Sequence, residues 1–482
     1  MQKIFFILIL TGWLTGCKKY LDIQPRDLKL AQSVKDYEDL LNGEGFKKQL
    51  STTGWEDLNI LEFLSDDVMS QMGTLATDSR TRYSSYYVWR NNYEEDHLTG
   101  GLSQLNATLW QYLYKIANVA NIVIAEVDDV PGPESERNFV KADAYFTRAL
   151  AYYFIINIWG QPYIPATAAT DKGVPVKLTN YAEFSGLPRK SVKEGYEQIV
   201  NDLENAEKHI TAAGIKKGIF SVSREAVYLL LSRVHLYMQN WEEAVDYATK
   251  CLQIKSDLYN LIPETFTTTN TTSFLNPRNN EIIFTFYNRP ANFQEMFGTA
   301  LGRHYSISNE LYNVYVADDK RRSAYFLSNT GVPATRAART SWKAEGVKSY
   351  NQYFRTAEAY LNRAEANIQL NNLTAAADDF NHLRKFRIAN VTDVTFANKE
   401  TALTTIYDER RRELAFQLHR WFDLRRTTRP RLVHQWRQTT STPILNFVLE
   451  ENDPGYTLEI PQSELRTNSV IEPLGLQIRE PQ

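Results

Sequence analysis

Residues 231–251 read LSRVHLYMQNWEEAVDYATKC, and residues 364–380 read AEANIQLNNLTAAADDF. Each stretch has a small residue twelve positions before a second one, on the far side of an Asn-containing turn: Ser232 before Ala244, and Ala364 before Ala376. Small side chains at that spacing let two antiparallel helices approach closely. Each stretch therefore predicts a helical hairpin.

The two hairpins resemble tetratricopeptide repeats in a degraded form. Arg363 stands where an apolar residue is usual, and His235 and Asn367 occupy an aromatic position. Helical periodicity extends around them and predicts helical stretches at about 105–160, 191–255 and 350–426. Ser191 followed by Glu194 predicts a capping box at the start of one helix.

Few segments alternate as strands do, and the clearest is residues 281–286. The predicted fold is mainly α: an α-superhelical scaffold of tetratricopeptide-like hairpins with long irregular loops and few short strands. Two polar stretches, at about 50–105 and 262–345, are too long for ordinary connectors, and their aromatic content argues against disorder. They either contact a ligand, or cap the scaffold, or do both.

The first seventeen residues have the form of an export signal. Lys3 precedes an apolar run at residues 4–10, which is shorter than the roughly 20 residues that a membrane-spanning helix needs. The sequence Leu-Thr-Gly-Cys that ends at Cys17 resembles the lipobox of bacterial lipoproteins. That resemblance implies removal of residues 1–16, a lipid on Cys17 and a tether at 17–25. The alternative is an ordinary secretory signal.

Charge and cysteine content exclude several classes of protein. The 54 basic and 57 acidic residues give a net charge of −3, so no overall field favours nucleic acid or an anionic bilayer. The only two cysteines are Cys17 and Cys251, and a lipid on Cys17 excludes an intramolecular disulfide. Cys251 falls at a packing position of its hairpin, which predicts a core thiol rather than a nucleophile.

Three segments in the C-terminal third identify a family. They read RTAEAYLNRAEA at 355–366, YDERRRELAF at 407–416 and HRWFDLRR at 419–426. These segments are similar to the SusD/RagB family of surface lipoproteins from Bacteroidetes-type bacteria, and further blocks in the family's order extend from 20–25 to 460–465. The resemblance implies a single SusD-like domain over 26–482.

The Arg-rich segments at 407–416 and 419–426 have a structural interpretation of their own. Opposite charges three or four residues apart on a helix predict ion pairs of Asp408 with Arg411 or Arg412, Glu409 with Arg412, and Arg420 with Asp423. Alternating charges on a helix usually belong to the scaffold. These segments are therefore excluded from the candidate site.

The family resemblance implies a function. It implies a protein that is lipid-anchored at the cell outer membrane, faces outside, and captures oligosaccharides for a SusC-like TonB-dependent transporter. Lys18 and Lys19 depart from the acidic residues common after such cysteines, so the outward orientation is inferred from the body of the protein. Two alternatives remain: the same architecture could bind oligopeptides, as RagB-like proteins do, or the chain could be a glycan-degrading enzyme.

Family members place ligand contacts in loops that match 66–97 and 285–345. The candidates in the first are Asp67, Arg80, Tyr83, Trp89, Asn92 and Tyr93, and those in the second are Tyr287, Phe293, Arg303, Tyr305 and Trp342. Aromatic faces stack on sugar rings while polar groups bind hydroxyls. The specific expectation is that at least two of Tyr83, Tyr93, Phe293, Tyr305 and Trp342 line one exposed patch, against the alternative that they pack on the scaffold.

No sequence motif indicates catalysis or a cofactor. The seven histidines are scattered without a metal-binding spacing, and there is no Gly-x-Ser-x-Gly elbow or phosphate-binding glycine loop. The protein is therefore expected to be no enzyme and to need no cofactor. A structural Ca²⁺ is conceivable at the acidic pairs 66–67 and 318–319, but no complete EF-hand loop supports it.

Overall fold

The computed structural model describes residues 31–47, 58–70, 78–93, 96, 98–99, 105–183, 185–265, 279–286, 305–328, 336–338, 342–343, 349–350, 352–439 and 441–482. Within these ranges the fold is mainly α, with fifteen helices and short two-stranded sheets, so the predicted fold class is confirmed. The helices are α1 Val34–Glu44, α2 Ile60–Phe63, α3 Asp78–Tyr87, α4 Leu105–Glu126, α5 Glu134–Trp159, α6 Val192–Ala213, α7 Arg224–Met238, α8 Trp241–Ile254, α9 Asn309–Asn313, α10 Arg321–Tyr325, α11 Thr356–Gln369, α12 Leu373–Arg384, α13 Lys399–Glu413, α14 Arg420–Arg426 and α15 Gln462–Thr467.

The strands form antiparallel pairs. They are β1 Val68–Ser70, β2 Ile282–Phe286, β3 Tyr305–Ile307, β4 Phe326–Ser328, β5 Arg336–Ala338, β6 Trp342–Lys343, β7 Ser349–Tyr350, β8 Gln352–Arg355, β9 Leu432–Trp436 and β10 Leu445–Leu449. In the described ranges β1 pairs with β3, β2 with β8, β4 with β5, β6 with β7 and β9 with β10. The strand predicted at 281–286 is confirmed as β2, which is fully buried.

Both predicted helical hairpins are present. In the first, α7 and α8 approach so closely that the Ser232 hydroxyl donates to the carbonyl oxygen of Ala244 at 3.0 Å. In the second, Ala364 and Ala376 are both fully buried between α11 and α12. Cys251 is also buried, and burial raises the pKa of its thiol, so the predicted core thiol is confirmed.

The start of α6 has the predicted capping box. The Ser191 hydroxyl accepts the N–H of Glu194, and the Glu194 carboxylate accepts the N–H of Ser191 at 2.9 Å. Along α6 the apolar residues Tyr196, Ile199 and Leu203 are buried on one face, against α5. None of the helices in the described ranges is both long and apolar enough to span a bilayer.

Candidate ligand-binding site

The two predicted ligand-side stretches meet in one antiparallel strand pair. β1 belongs to the first stretch and β3 to the second, with Val68 opposite Ile307 and Ser70 opposite Tyr305. Just beyond the pair, the Ser308 hydroxyl donates to the carbonyl oxygen of Asp66 at 2.8 Å, across 242 residues of sequence. The fold therefore brings the two stretches to the same place.

Aromatic rings pack beneath this strand pair. Tyr83 stacks on Phe63 with 4.3 Å between ring centroids, and the Tyr305 ring meets Phe63 edge-on at 5.0 Å. Tyr87 also meets Tyr305 edge-on, at 5.2 Å, and its hydroxyl accepts the backbone N–H of Ser70 at 3.0 Å. Phe63 and Tyr87 thus pack directly against Tyr305, and Tyr83 joins the cluster through Phe63.

His434 of β9 extends the cluster. Its ring lies between Tyr87 and Trp89, with centroid distances of 4.2 and 4.1 Å. The Trp89 indole N–H donates to the carbonyl oxygen of Leu64 at 2.9 Å. Burial lowers the pKa of His434 to about 4, so the imidazole is neutral at physiological pH. We call this cluster the aromatic floor: Phe63, Tyr83, Tyr87, Trp89, Tyr305 and His434.

Five predicted contact residues have little exposed surface. Asp67, Tyr83, Trp89, Tyr93 and Tyr305 are all 5% exposed or less. The expectation that they face a ligand therefore needs correction, because large aromatic rings gain most by burial and these rings stack on one another. Tyr83, Trp89 and Tyr305 belong to the aromatic floor. Asp67 is bound by an arginine, and Tyr93 lines a cavity described below.

The remaining predicted residues divide into three groups. Asn92 is partly buried and lines a cavity described below. Arg80 lies in α3 and Trp342 in β6, but their side chains are not among the described groups. The residues outside the described ranges are Cys17, Tyr287, Phe293 and Arg303. The expectation of an exposed aromatic patch therefore depends on Phe293 and Trp342, and it stays a prediction.

Two aspartates before β1 are bound by the Arg-rich segments. Arg420 donates two hydrogen bonds to Asp66, both at 2.7 Å, and Arg411 Nε donates to Asp67 at 2.7 Å. Burial opposes ionisation of Asp66, but the charges of Arg420 and Arg411 outweigh it and hold its pKa well below the usual range. Burial raises the pKa of Asp67, and Arg411 offsets only part of that rise.

The predicted pairing within the Arg-rich segments is only partly correct. Glu409 pairs with Arg412 at 2.8 Å, as predicted. The prediction for Arg420 is wrong, since Asp423 pairs instead with Arg410 and with Arg426. The rule of opposite charges three or four residues apart considers only one helix, whereas Arg420 contacts Asp66 in another part of the fold.

Glu62 lies in the same region as the two aspartates. Its side chain is buried, and Oε1 accepts the backbone N–H of Leu418 at 2.8 Å. Burial raises the pKa of Glu62 to about 8, and the nearby Asp67 carboxyl adds to the rise. The segment before β1 is thus bound to the α13–α14 connection by this hydrogen bond as well as by the ion pairs of Asp66 and Asp67.

The second stretch is held by a larger buried ion cluster. Glu413, at the end of α13, contacts Arg321 at 2.9 Å, Arg355 at 2.8 Å and Arg387 at 3.0 Å. Arg355 and Arg387 also both contact Glu281, just before β2. All five side chains are fully buried. Burial opposes ionisation of Glu413, but the three guanidinium charges hold its pKa well below the usual range.

Both stretches are therefore held by one short part of the chain. α13 and α14, with the connection between them, contact the segment before β1, Arg321 of the second stretch and the end of β8, where Arg355 in turn contacts Glu281 before β2. The burial of these charges agrees with the prediction that the Arg-rich segments are scaffold. What they position is the pair of ligand-side stretches.

A cavity of about 380 Å³, which we call the first cavity, lies between the residues that shortly follow Trp89 and the C-terminal segment. Tyr93 lines it and stacks on Tyr86 at 4.5 Å between centroids. Asn91 Nδ2 donates to the carbonyl oxygen of Leu476 at 2.7 Å, which ties this turn to the C-terminal segment. The lining includes Asn91, Asn92, Tyr93, Glu459, Gln462 and Arg466.

The first cavity presents both donors and acceptors. A carboxylate, a guanidinium, four amides (Asn91, Asn92, Asn106 and Gln462) and a tyrosine ring can bind hydroxyl groups and cover an apolar face. Among the described residues, no group of three or more His, Cys, Asp or Glu side chains could hold a metal ion. Asp66, Asp67 and Asp319 of the acidic pairs are each bound to an arginine. The conceivable Ca²⁺ site stays untested.

Sequence reasoning missed several of these residues. His434, Phe63 and Tyr87 complete the floor, but His434 lies 347 residues from the carbonyl that its ring contacts, so no local pattern could associate them. Gln462 belongs to the block at 460–465 that supported the family resemblance, yet that block gave no sign of lining a cavity. Clustering of polar residues near the C terminus was the only available signal.

Comparison with known proteins gives consistent matches along the chain. A family model described as "SusD family" matches residues 258–473, and one described as "Starch-binding associating with outer membrane" matches residues 20–236. The chain is a SusD-like protein. Between them the two matches leave only the termini and residues 237–257 unmatched.

Similar proteins with known names belong to the same group. The SusD-like protein P38 of Formosa agariphila is 22% identical over 88% of this chain and 91% of its own length. The SusD-like protein P25 of the same organism is 23% identical over 65% of this chain and 69% of its own length.

Solved structures have the same fold. The crystal structure of a SusD-like carbohydrate binding protein from Bacteroides vulgatus has a TM-score of 0.72, with 20% identity, and covers 92% of this SusD-like chain and 98% of its own. A SusD superfamily protein from Bacteroides fragilis has a TM-score of 0.70, with 21% identity over 92% of this chain and all of its own. At these identities the likeness establishes the fold alone.

Proposed function

We propose that this SusD-like protein binds glycans at the cell outer membrane and delivers oligosaccharides to a SusC-like TonB-dependent transporter. It is anchored through a lipid on Cys17 and faces outside. The observation that carries the proposal is the match of residues 20–236 to a starch-binding, outer-membrane-associating family, over the part of the chain that contains β1 and most of the aromatic floor. The carbohydrate-binding relative of the same fold supports the same ligand class.

The geometry fits this function. A protein that captures a ligand with loops needs those loops to start from a rigid support, because ordering mobile segments on binding costs affinity. Here the β1–β3 pair joins the two ligand-side stretches, and ion pairs connect the segment before β1 to α13 and the end of β8 to Glu413. Ser70 and Tyr305, opposite each other in this pair, hold the two stretches side by side.

Binding is tested by titrating neutral oligosaccharides and, separately, oligopeptides into the purified protein by calorimetry. We expect binding of at least one oligosaccharide and none of the peptides. Trp342→Ala is expected to weaken binding at least tenfold, or about 1.4 kcal/mol, because the indole would no longer stack on the apolar face of a sugar ring. Tyr305 is unsuitable for this test because it is buried, so its truncation would disturb folding.

The control for Trp342→Ala is Phe220→Ala. Phe220 is also aromatic, is 38% exposed and lies outside the two ligand-side stretches. Its replacement should leave affinity unchanged. Binding of peptides in place of glycans would contradict the proposed ligand and favour the RagB-like alternative.

Membrane attachment is tested by Cys17→Ser. The wild-type protein should incorporate labelled palmitate, sediment with the outer membrane and co-purify with a TonB-dependent transporter from detergent extracts. The variant should lose the label, and a much larger share of it should leave the membrane fraction, since contact with the transporter would then be its one remaining attachment. Palmitate label that persists in Cys17→Ser would contradict the assignment of the lipid to Cys17.

We also propose that the protein is not an enzyme. Asp66 and Asp67 near the floor are bound to Arg420 and Arg411, which leaves them poorly suited to proton transfer. The Glu62 carboxyl is buried against the Leu418 N–H and has almost no exposed surface from which to reach a substrate. Incubation with each bound glycan should release no shorter product. A new product on chromatography would contradict this.

A further inference from the structure

The irregular segment between α5 and α6 is pinned onto neighbouring helices by side chains. The Tyr114 hydroxyl donates to the carbonyl oxygen of Pro175 at 2.7 Å, and the Tyr152 hydroxyl donates to that of Lys177 at 2.7 Å. Asn121 Nδ2 donates to the same Lys177 oxygen at 3.0 Å. Hydrogen bonds from side chains to backbone carbonyl oxygens hold this irregular segment in one conformation.

A second cavity, of about 420 Å³, lies between this segment, α4 and α15. Its volume is within the range of small-molecule sites, roughly 300–1,000 Å³. The Trp110 and Tyr114 rings, 4.5 Å apart between centroids, provide the apolar part of its lining. The polar part includes Lys177, Glu183, Glu464 and Asn468.

The charges around the second cavity balance. Two lysines, Lys115 and Lys177, and two glutamates, Glu183 and Glu464, line it. Lys177 is engaged with the amide oxygen of Asn118 at 2.9 Å. A lining with equal numbers of the two signs does not select a charged ligand, but it does offer both donors and acceptors.

One lining group has an unmet hydrogen-bonding requirement. Asn468 Nδ2 donates to the carbonyl oxygen of Leu187 at 3.4 Å, while Asn468 Oδ1 is buried and has no partner among the described residues. A buried acceptor without a partner is unfavourable, and most such groups in proteins are satisfied. A hydroxyl that donates to this oxygen would satisfy it.

We propose that the second cavity is an additional carbohydrate-binding site that holds one or two units of a neutral sugar chain. A sugar hydroxyl both donates and accepts, which matches the mixed polar lining, and the apolar face of a sugar ring matches Trp110 and Tyr114. The same segment also carries Tyr181, of which 63% is exposed. The inference rests on the proposed glycan-binding function and adds a second sugar-binding site to the protein.

α15 separates the two cavities. Gln462 and Arg466 line the first, and Glu464 and Asn468 line the second. A single helix of six residues therefore has one cavity on each side. A sugar chain long enough to cross α15 would occupy both cavities, and each added contact would raise the effective concentration of the next.

The test compares oligosaccharides of increasing length in calorimetric titrations. The variant that removes second-cavity contacts is the double substitution Gln111→Ala and Glu464→Ala, because both residues line this cavity and neither is buried. We expect the longest oligosaccharides that bind the wild type to bind this variant at least tenfold more weakly, and the shortest to lose less. Thermal unfolding of the variant should match the wild type.

The matched control is Thr467→Ala, an exposed residue of α15 that lines neither cavity. It should bind every length as the wild type does. If the double variant also binds every length like the wild type, the second site is refuted while glycan binding stands. If the wild type binds no oligosaccharide at all, the proposed function and the second site are both refuted.

Discussion

Replacing Glu413 by glutamine is expected to lower the free energy of unfolding by about 3–5 kcal/mol, the range seen when one partner is removed from a buried ion pair. Glu413 contacts the guanidinium groups of Arg321, Arg355 and Arg387, and all four side chains are fully buried. Glutamine keeps the size of the side chain but removes the charge, so three buried cations lose their shared partner. Urea denaturation followed by circular dichroism measures the change.

The control for this prediction is Glu450→Gln. Glu450 pairs with Arg431 at 3.2 Å, and both side chains are about half exposed, at 52% and 51%. An exposed pair of this kind contributes about 0–1 kcal/mol. Equal losses in the two variants would show that burial of the Glu413 cluster has no special energetic weight. Because Glu413 also binds Arg321 within the second ligand-side stretch, its variant should bind glycans more weakly as well.

Replacing Glu62 by glutamine is expected to stabilise the protein at pH 8 and to change little at pH 5. The pKa of Glu62 is about 8 in the folded protein, against an ordinary value of 4.5. Between pH 4.5 and 8 the Glu62 carboxyl keeps its proton in the folded protein but loses it in the unfolded chain. The contribution of Glu62 to the free energy of unfolding is therefore complete below about pH 4.5 and is lost as the pH rises through 8. Glutamine stays neutral throughout and keeps an acceptor for the Leu418 N–H.

The expected gain at pH 8 is on the order of 4 kcal/mol, since each unit of the pKa difference between 4.5 and about 8 corresponds to about 1.4 kcal/mol and the folded-state carboxyl is only half ionised at pH 8. Thermal unfolding of both proteins from pH 5 to pH 9 measures it. Glu450→Gln, which removes an exposed carboxylate, should differ from the wild type by a small and nearly constant amount. A Glu62→Gln effect that does not grow with pH would contradict the prediction.

The helical part of the fold was predictable because its determinants are local. The spacing from Ser232 to Ala244 reports a close helix–helix contact, and the structure has that contact as a 3.0 Å hydrogen bond. The Ser191 and Glu194 pair likewise specifies one helix start through atoms three residues apart. Both patterns depend on residues that are near one another in the sequence.

The candidate site was less predictable because its contacts are distant in the sequence. Asp408 was expected to pair with Arg411 or Arg412, but Arg411 binds Asp67, which lies 344 residues away. Tyr83 and Tyr305 were expected at a surface, and both instead pack against the buried ring of Phe63. An aromatic residue in a polar stretch has the same sequence pattern in a floor as on a binding surface, so burial decides which role it takes.

The distance between these partners has a consequence for how the molecule is made. β1, the floor and the segment around Glu62 take their bonding partners from residues 305–434, so they cannot reach their final arrangement until the C-terminal third has been synthesised and folded. Contacts of such long sequence separation form slowly. A chain that is truncated or arrested early would therefore lack this support altogether, and only complete molecules would present a binding face at the membrane.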